Sequence, residues 1–84
     1  MSYSIKIKSE TKKYLLTLEK NLRRRISRSI NELAANPRPS ECKKLKGRDA
    51  YRIRVGDYRV IYEIYDDVLV VLIIRVAHRR EVYK

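Results

Sequence analysis

Three arginines of a predicted β-hairpin are the residues of this sequence whose type and spacing best suit chemistry. Arg52 and Arg54 lie in one candidate strand, Arg59 lies in the next, and Gly56-Asp57 forms the loop between them. A two-residue loop sets Arg54 opposite Arg59, and the period of a strand places Arg52 on the same face. Like charges that face each other destabilise a sheet, so the pattern indicates a bound anion.

Phosphate is the anion that such a cluster fits best. Guanidinium groups are planar, bidentate donors, and they also stabilise the extra negative charge of a phosphoryl transition state. Tyr58, Tyr65 and Tyr83 are placed to stack on unpaired bases, which is worth about 1–3 kcal/mol per base. Tyr51 and Tyr62 fall on the opposite strand face and are predicted core residues. The cluster therefore indicates binding of nucleic acid and is also suited to its cleavage.

Charge and length support a small polyanion-binding protein. The 84 residues include 21 Lys and Arg against 10 Asp and Glu, a formal net charge of +11. A chain of this size supports one core, so we expect a single domain over residues 1–84. The longest apolar run, residues 68–74, is too short to span a membrane. No signal-peptide core is present near residue 1, so we expect a cytoplasmic location.

The sequence offers few residues for thiol or metal chemistry. Cys42 is the single cysteine and His78 the single histidine, and they lie far apart in the sequence. We interpret Cys42 as a partly buried apolar residue rather than a catalytic thiol. One Cys and one His form no ligand cluster, so we expect neither a metal nor a cofactor.

The elements that position the cluster are predicted as α+β, in the order β-α-α-β-β-β. Alternation over residues 3–8 predicts a strand, and a helix with apolar spacing follows over residues 11–20. Asn21 is a candidate cap for a second helix, which ends at Asn36-Pro37. Its polar face carries arginines that we interpret as solvent-exposed rather than as direct contacts to nucleic acid: Arg23, Arg24, Arg25 and Arg28.

Three strands, about 50–55, 58–65 and 68–76, then form an antiparallel meander after a basic segment, residues 43–48. The face with Ile53 and Val60 is predicted to pack under the helices, which leaves the arginine face outward. An antiparallel third strand returns the tail to the hairpin. Arg79, Arg80 and Tyr83 are therefore expected near Arg59.

Three blocks of this sequence, Lys44 to Gly47, Tyr51 to Tyr62 and Arg75 to Tyr83, resemble the RelE/ParE superfamily of bacterial and archaeal toxins. The last two blocks look like the RelE branch. This resemblance implies a toxin of a toxin–antitoxin system that enters the ribosomal A site and cleaves mRNA without a metal. The 2′-hydroxyl would be the nucleophile and a 2′,3′-cyclic phosphate the product. It also implies a RelB-like antitoxin, which should be acidic and cover the basic groove.

Site residues follow from the same resemblance. Arg59 matches the strand arginine that stabilises the phosphate, Arg79 the tail arginine that assists it, and Tyr83 the terminal tyrosine that orients the nucleotide. Arg52 and Arg54 stand where the best-known members have lysines, one of them a proposed general base. The predicted RNA-binding residues are Lys44, Lys46, Arg48, Tyr58, His78 and Arg80.

Because Arg52 and Arg54 replace the lysines of the best-known members, the sequence does not identify the residue that accepts the proton. A guanidinium is effectively never deprotonated in a protein, so Arg52 and Arg54 can hold a phosphate without taking a proton. The candidates are, in order, Tyr83, His78 and Lys46.

Two other functions stay open at this point. One is a ParE-type inhibitor, similar in fold, that binds DNA gyrase, although such chains generally lack the catalytic arginine and terminal tyrosine. The other is a basic RNA-binding module without chemistry, for which binding would survive loss of Arg59.

Overall fold

The computed structural model describes residues 2–82 and the side chains of residues 2–80. The elements are β1 (Ser4–Ile7), α1 (Ser9–Leu16), α2 (Lys20–Glu32), β2 (Lys43–Lys44), β3 (Tyr51–Val55), β4 (Tyr58–Tyr65), β5 (Val70–His78) and α3 (Arg79–Val82). The strands form one sheet in the order β1-β5-β4-β3-β2, in which β1 runs parallel to β5 and the other pairs are antiparallel. The α+β class and the meander are confirmed.

The hydrophobic core lies between one face of the sheet and the two longer helices. Alternate residues of each central strand point into it, as the period of two requires. The fully or nearly fully buried members from the strands are Ile53, Val55, Val60, Tyr62, Val71, Ile73 and Val76, and those from the helical segments are Leu15, Ile26, Ile30 and Leu33. This is the predicted inner face, so the arginine face of the hairpin is the opposite one.

The two helices differ from the prediction at their junction. α1 ends at Leu16 instead of continuing to residue 20, and α2 is capped by Glu19 and not by Asn21. The Glu19 carboxylate accepts hydrogen bonds from the backbone N–H groups of Asn21 and Leu22, at 3.0 and 3.2 Å. These bonds lower the pKa of Glu19. The predicted cap is therefore wrong because a carboxylate two residues earlier satisfies the free N–H groups of the first turn.

The third strand of the meander starts and ends two residues later than predicted. The turn after β4 takes four residues, and Leu69 adopts a φ of 53°, in the left-handed region. Ala77 and His78, predicted as tail, instead continue β5 and pair with Arg59 and Tyr58. The strand also carries a bulge near Ile74, which shifts its register opposite β4.

The structure has two short elements that the sequence did not predict, a strand and a helix. β2 adds two residues to the edge of β3, with Lys43 opposite Arg52 and Lys44 opposite Tyr51. The tail forms one turn of helix, α3. Neither was predicted, because a two-residue strand carries too little sequence pattern to be recognised.

The loop before β2 is fixed to the sheet by tyrosines and an arginine. The Tyr62 hydroxyl, which is fully buried, donates to the Pro37 carbonyl at 2.8 Å. Arg38 donates both terminal nitrogens to the Asp66 carboxylate, and Tyr3 donates to the same group at 2.6 Å. Tyr51 stacks on Tyr62 with ring centroids 5.9 Å apart. The predicted core roles of Tyr51 and Tyr62 are confirmed.

Two further sequence expectations bear on the fold. Cys42 is half-buried and packs against the core, as predicted. Within the described residues, no helix is both long and apolar enough to cross a membrane.

Candidate active site

The β3–β4 hairpin has the register that its loop predicts. Arg54 lies opposite Arg59, and Val55 lies opposite Tyr58. Gly56 has a φ of +60° and Asp57 is not among the described residues of positive φ, which is the pattern of a type II′ turn. The two arginines therefore share the sheet face opposite the core, and Arg54, at the part of β3 that β2 does not cover, also reaches the side of α2.

Arg59 is buried although it lies on this outer face. Only 5% of its surface is exposed, whereas Arg54 is exposed. Its neighbour on β5 is Ala77, whose small side chain leaves room for a guanidinium beside it. Arg59 is thus buried within this face, whereas Arg54 lies nearer to solvent.

The tail reaches this site through one backbone hydrogen bond. The N–H of Arg79 donates to the carbonyl oxygen of Asp57 at 2.7 Å, which fixes the start of α3 against the hairpin turn. Because β5 runs antiparallel to β4, its end lies next to the beginning of β4. The predicted return of Arg79 and Arg80 to the hairpin is confirmed.

A cleft of about 450 Å³ forms where the hairpin and the tail meet, and we call it the arginine cleft. Besides the turn at Gly56, its lining consists of Arg54, Asp57, Tyr58, Arg59, Arg79 and Arg80. Four guanidinium groups thus face a single carboxylate. This excess of positive charge, in a partly enclosed space, suits a phosphate.

A second cleft of about 550 Å³ lies further along the same face of the sheet, and we call it the sheet cleft. Apolar side chains contribute to its lining, namely Leu45, Ile61 and Ile74, together with five cations, Lys8, Arg48, Arg52, Arg59 and Arg75. Arg59 belongs to both clefts. A ligand with apolar and anionic parts, such as a nucleotide, matches this combination.

The predicted site residues are distributed over these two clefts and their surroundings. Arg54, Arg59, Arg79, Tyr58 and Arg80 meet in the arginine cleft, and Arg52 and Arg48 line the sheet cleft. Lys44 and Lys46 are exposed and line neither cleft, and the Lys44 ammonium lies 3.9 Å from the Asp49 carboxylate. Tyr83 lies outside the described residues.

His78 and Tyr58 form a contact on the side of the sheet that faces the helices. Their rings meet edge to face, with centroids 5.2 Å apart. The Nδ1 atom of His78 accepts a hydrogen bond from the N–H of Arg80 at 3.3 Å. Tyr58 still reaches the arginine cleft, whereas His78 lines neither cleft.

Three further cations lie near the site. Lys8 reaches the sheet cleft because β1 pairs with β5, a parallel contact between distant segments that local patterns do not reveal. Arg75 lines the same cleft. Arg25 of α2 lies beside Gly56 of the hairpin turn.

Over residues 2–80, no group of three or more His, Cys, Asp and Glu side chains lies close enough to hold a metal ion.

Comparison with known proteins gives consistent results. A family model described as the ParE toxin of type II toxin–antitoxin systems matches residues 3–83. The chain is 32% identical over 88 residues to a RelE1 toxin of Methanocaldococcus jannaschii, with 100% of this chain and 98% of the relative covered.

Solved structures show the same similarity. A chain of the archaeal RelE–RelB complex from Pyrococcus horikoshii OT3 superposes with a TM-score of 0.85 and 36% identity, covering 94% of this chain and 97% of that chain. The isolated E. coli RelE toxin gives a TM-score of 0.79 and 29% identity, over 96% of this chain and 90% of that chain.

Proposed function

The chain belongs to the RelE/ParE superfamily of toxins from type II toxin–antitoxin systems, and we propose that it is a ribosome-dependent endoribonuclease. It would cleave mRNA in the ribosomal A site and so inhibit translation in the cytoplasm. The observation that carries this proposal is the meeting of Arg54, Arg59 and Arg79 in the arginine cleft. The net charge of +11 suits a substrate held among ribosomal RNA.

The reaction places specific demands on this cleft. The 2′-oxygen of one nucleotide bonds to the adjacent phosphorus and loses its proton, and the bond from phosphorus to the 5′-oxygen breaks. The products are a 2′,3′-cyclic phosphate and a 5′-hydroxyl, which gains a proton. Negative charge accumulates on the phosphoryl oxygens in the transition state, and Arg59 and Arg79 would stabilise it.

The proton from the 2′-hydroxyl needs an acceptor other than the arginines. Of the candidates, His78 and Lys46 line neither cleft, whereas Tyr83 follows closely after Arg79 in the sequence. We therefore keep Tyr83 as the first candidate. Tyr83→Phe retains the ring and removes the hydroxyl, so the acid limb of the pH–rate profile should change if this hydroxyl transfers a proton.

The test is cleavage of mRNA on programmed ribosomes, followed by primer extension. Arg59→Ala should lower the single-turnover rate about 10²–10³-fold, the usual cost of removing one transition-state donor. Arg59→Lys keeps the charge at this buried position. The control is Arg24→Ala, which also removes one positive charge but does so on the exposed face of α2. Urea unfolding establishes that each variant is folded.

Two results would refute this function. One is an intact A-site codon after incubation with the wild-type protein. The other is a folded Arg59→Ala variant that cleaves as fast as Arg24→Ala. Retained RNA binding without any cleaved product would instead support the binding module.

The second candidate function is inhibition of DNA gyrase. It is favoured by one observation, that the matching family model is described as a ParE toxin. A gyrase supercoiling assay separates the two candidates, because a ribosome-dependent nuclease should leave supercoiling unchanged. The presence of Arg79 in the arginine cleft favours the nuclease.

We also propose a RelB-like antitoxin as the partner. The similar chain from P. horikoshii belongs to a RelE–RelB complex, and a chain of the intact E. coli RelBE toxin–antitoxin complex is also similar to this one. An acidic partner that covers the arginine cleft would neutralise its charge and block the phosphate. The rate of hydrogen exchange near Arg79 should change when such a partner binds. An unchanged rate would argue against a partner that covers the arginine cleft.

A further inference from the structure

We propose a second phosphate site between α2 and the hairpin turn, which binds a phosphate next to the scissile one on the same RNA strand. The site is formed by Arg25, Arg28 and Arg54, and Arg25 is its central residue. The inference rests on the proposed function, because it assumes that the scissile phosphate occupies the arginine cleft.

The site is a shallow cleft of about 290 Å³, which we call the helix cleft. Its lining consists of Arg25, Arg28 and Ser29 from α2 and Arg54, Val55 and Gly56 from the hairpin. Arg54 and Gly56 also line the arginine cleft, so the two clefts are neighbours along one surface. A strand that leaves the arginine cleft past Arg54 and Gly56 can therefore enter the helix cleft.

The Arg25 side chain reaches Gly56 of the hairpin turn at the boundary of the two clefts. Both terminal nitrogens of Arg25 lie near the position that a Cβ would take on Gly56, at 3.6 and 3.9 Å. A side chain there would contact the guanidinium and narrow the passage between the clefts. The glycine thus permits the turn and also leaves room for a ligand beside Arg25.

The charge of the helix cleft indicates an anionic ligand. Its lining holds three guanidinium groups and no carboxylate. Among the described side chains, Arg25, Arg28 and Arg54 form no ion pair with any Asp or Glu. Ser29 adds a hydroxyl donor. Three like charges held together in this way repel one another, and a bound phosphate would relieve that repulsion.

The position of the cleft favours RNA over an acidic protein as the occupant. A nucleic-acid strand carries one negative charge at each nucleotide, so a strand with one phosphate in the arginine cleft must place another nearby. The helix cleft is the adjoining basic surface and shares Arg54 with the first. Planar guanidinium groups also match a phosphodiester in two-point contacts.

The experiment is a double-mutant cycle on programmed ribosomes. Arg25→Ala is compared with Arg24→Ala, its neighbour on α2, which does not line the helix cleft. The mRNA carries either normal phosphates or one uncharged methylphosphonate, placed in turn on each side of the scissile phosphate. Urea unfolding confirms that both variants fold, and Arg25→Lys tests whether charge alone restores the effect.

On normal mRNA, Arg25→Ala should lower kcat/KM about tenfold, as expected for one charge-assisted contact, while Arg24→Ala changes it less than about twofold. The loss should appear in KM and leave kcat nearly unchanged, and Arg25→Lys should recover part of it. One flanking methylphosphonate should cost the wild type a similar factor and cost Arg25→Ala nothing more. Equal rates for Arg25→Ala and Arg24→Ala, or additive losses at both flanking positions, would overturn the site.

A binding measurement keeps this test separate from that of the nuclease. If the wild type cleaves nothing, the nuclease proposal fails, and a labelled single-stranded RNA is titrated at several salt concentrations instead. Arg25→Ala should then reduce the slope of log affinity against log salt by about one, and Arg24→Ala should not. Equal slopes for the two variants overturn the site. An acidic peptide is titrated in parallel, and the site is also overturned if Arg25→Ala loses binding to this peptide while its RNA binding is unchanged.

Discussion

Removal of the Tyr62 hydroxyl should measure how firmly the loop before β2 is held to the sheet. Tyr62 is 0% exposed, and its hydroxyl donates to the Pro37 carbonyl at 2.8 Å. Burial raises the pKa of Tyr62, so the hydroxyl remains a donor. Tyr62→Phe keeps the ring and leaves the buried carbonyl without this donor, which costs about 1–3 kcal/mol of unfolding free energy. At this chain length each kcal/mol lowers Tm by about 4–8 °C.

The assay is urea unfolding at neutral pH, read as a lower midpoint with an unchanged m-value. Tyr65→Phe is the matched control. The Tyr65 hydroxyl also donates a hydrogen bond, to Glu63 at 2.7 Å, but Tyr65 is 43% exposed. This variant should stay within about 0.5 kcal/mol of the wild type. If Tyr62→Phe also stays within that range, the buried hydrogen bond does not anchor the loop and the reasoning is refuted.

Two other predictions concern the network at Asp66 and the hairpin turn. Arg38, with a smaller contribution from Tyr3, lowers the pKa of Asp66 from 3.8 to about 2, so this carboxylate stabilises the fold above about pH 4 and progressively less as the pH falls through 2. The difference in unfolding free energy between wild type and Asp66→Asn should therefore shrink from pH 6 to pH 2, and a difference independent of pH would contradict this. Gly56→Ala should cost about 1–2 kcal/mol in urea unfolding, because Gly56 has a φ of +60°. Gly56→Asn should cost less, and equal losses for the two variants would argue against backbone strain as the cause.

The hairpin could be predicted from the sequence because its determinants are local. A two-residue loop with glycine first fixes the register, so the pairing of Arg54 with Arg59 followed directly from the spacing. The position of Arg79 could be predicted as well, because an antiparallel strand that follows β4 must end beside the start of β4. The inner face with Ile53 and Val60 followed from simple alternation.

The remainder of the site depends on contacts between distant segments. Arg59 is buried between Arg54 of β3 and Ala77 of β5, and Lys8 reaches the sheet cleft through the parallel pairing of β1 with β5. Arg25 is exposed, as its place on the polar face of α2 predicts, but no local pattern shows that its guanidinium reaches the hairpin turn. The cap at Glu19 was missed because Asn21 is the more frequent type of cap residue.

The position of β5 has a consequence for the time at which the protein becomes active. β5 is synthesised after the other four strands, yet it lies between β1 and β4. Until it emerges from the ribosome, β1 lacks its neighbour, and neither Ala77 nor Arg79 is present beside Arg59. A nascent chain can form the β3–β4 hairpin early, but the pairing of β1 with β5 joins distant segments and forms late. We therefore expect that the ribosome producing this chain has passed Arg79 before any arginine cleft exists.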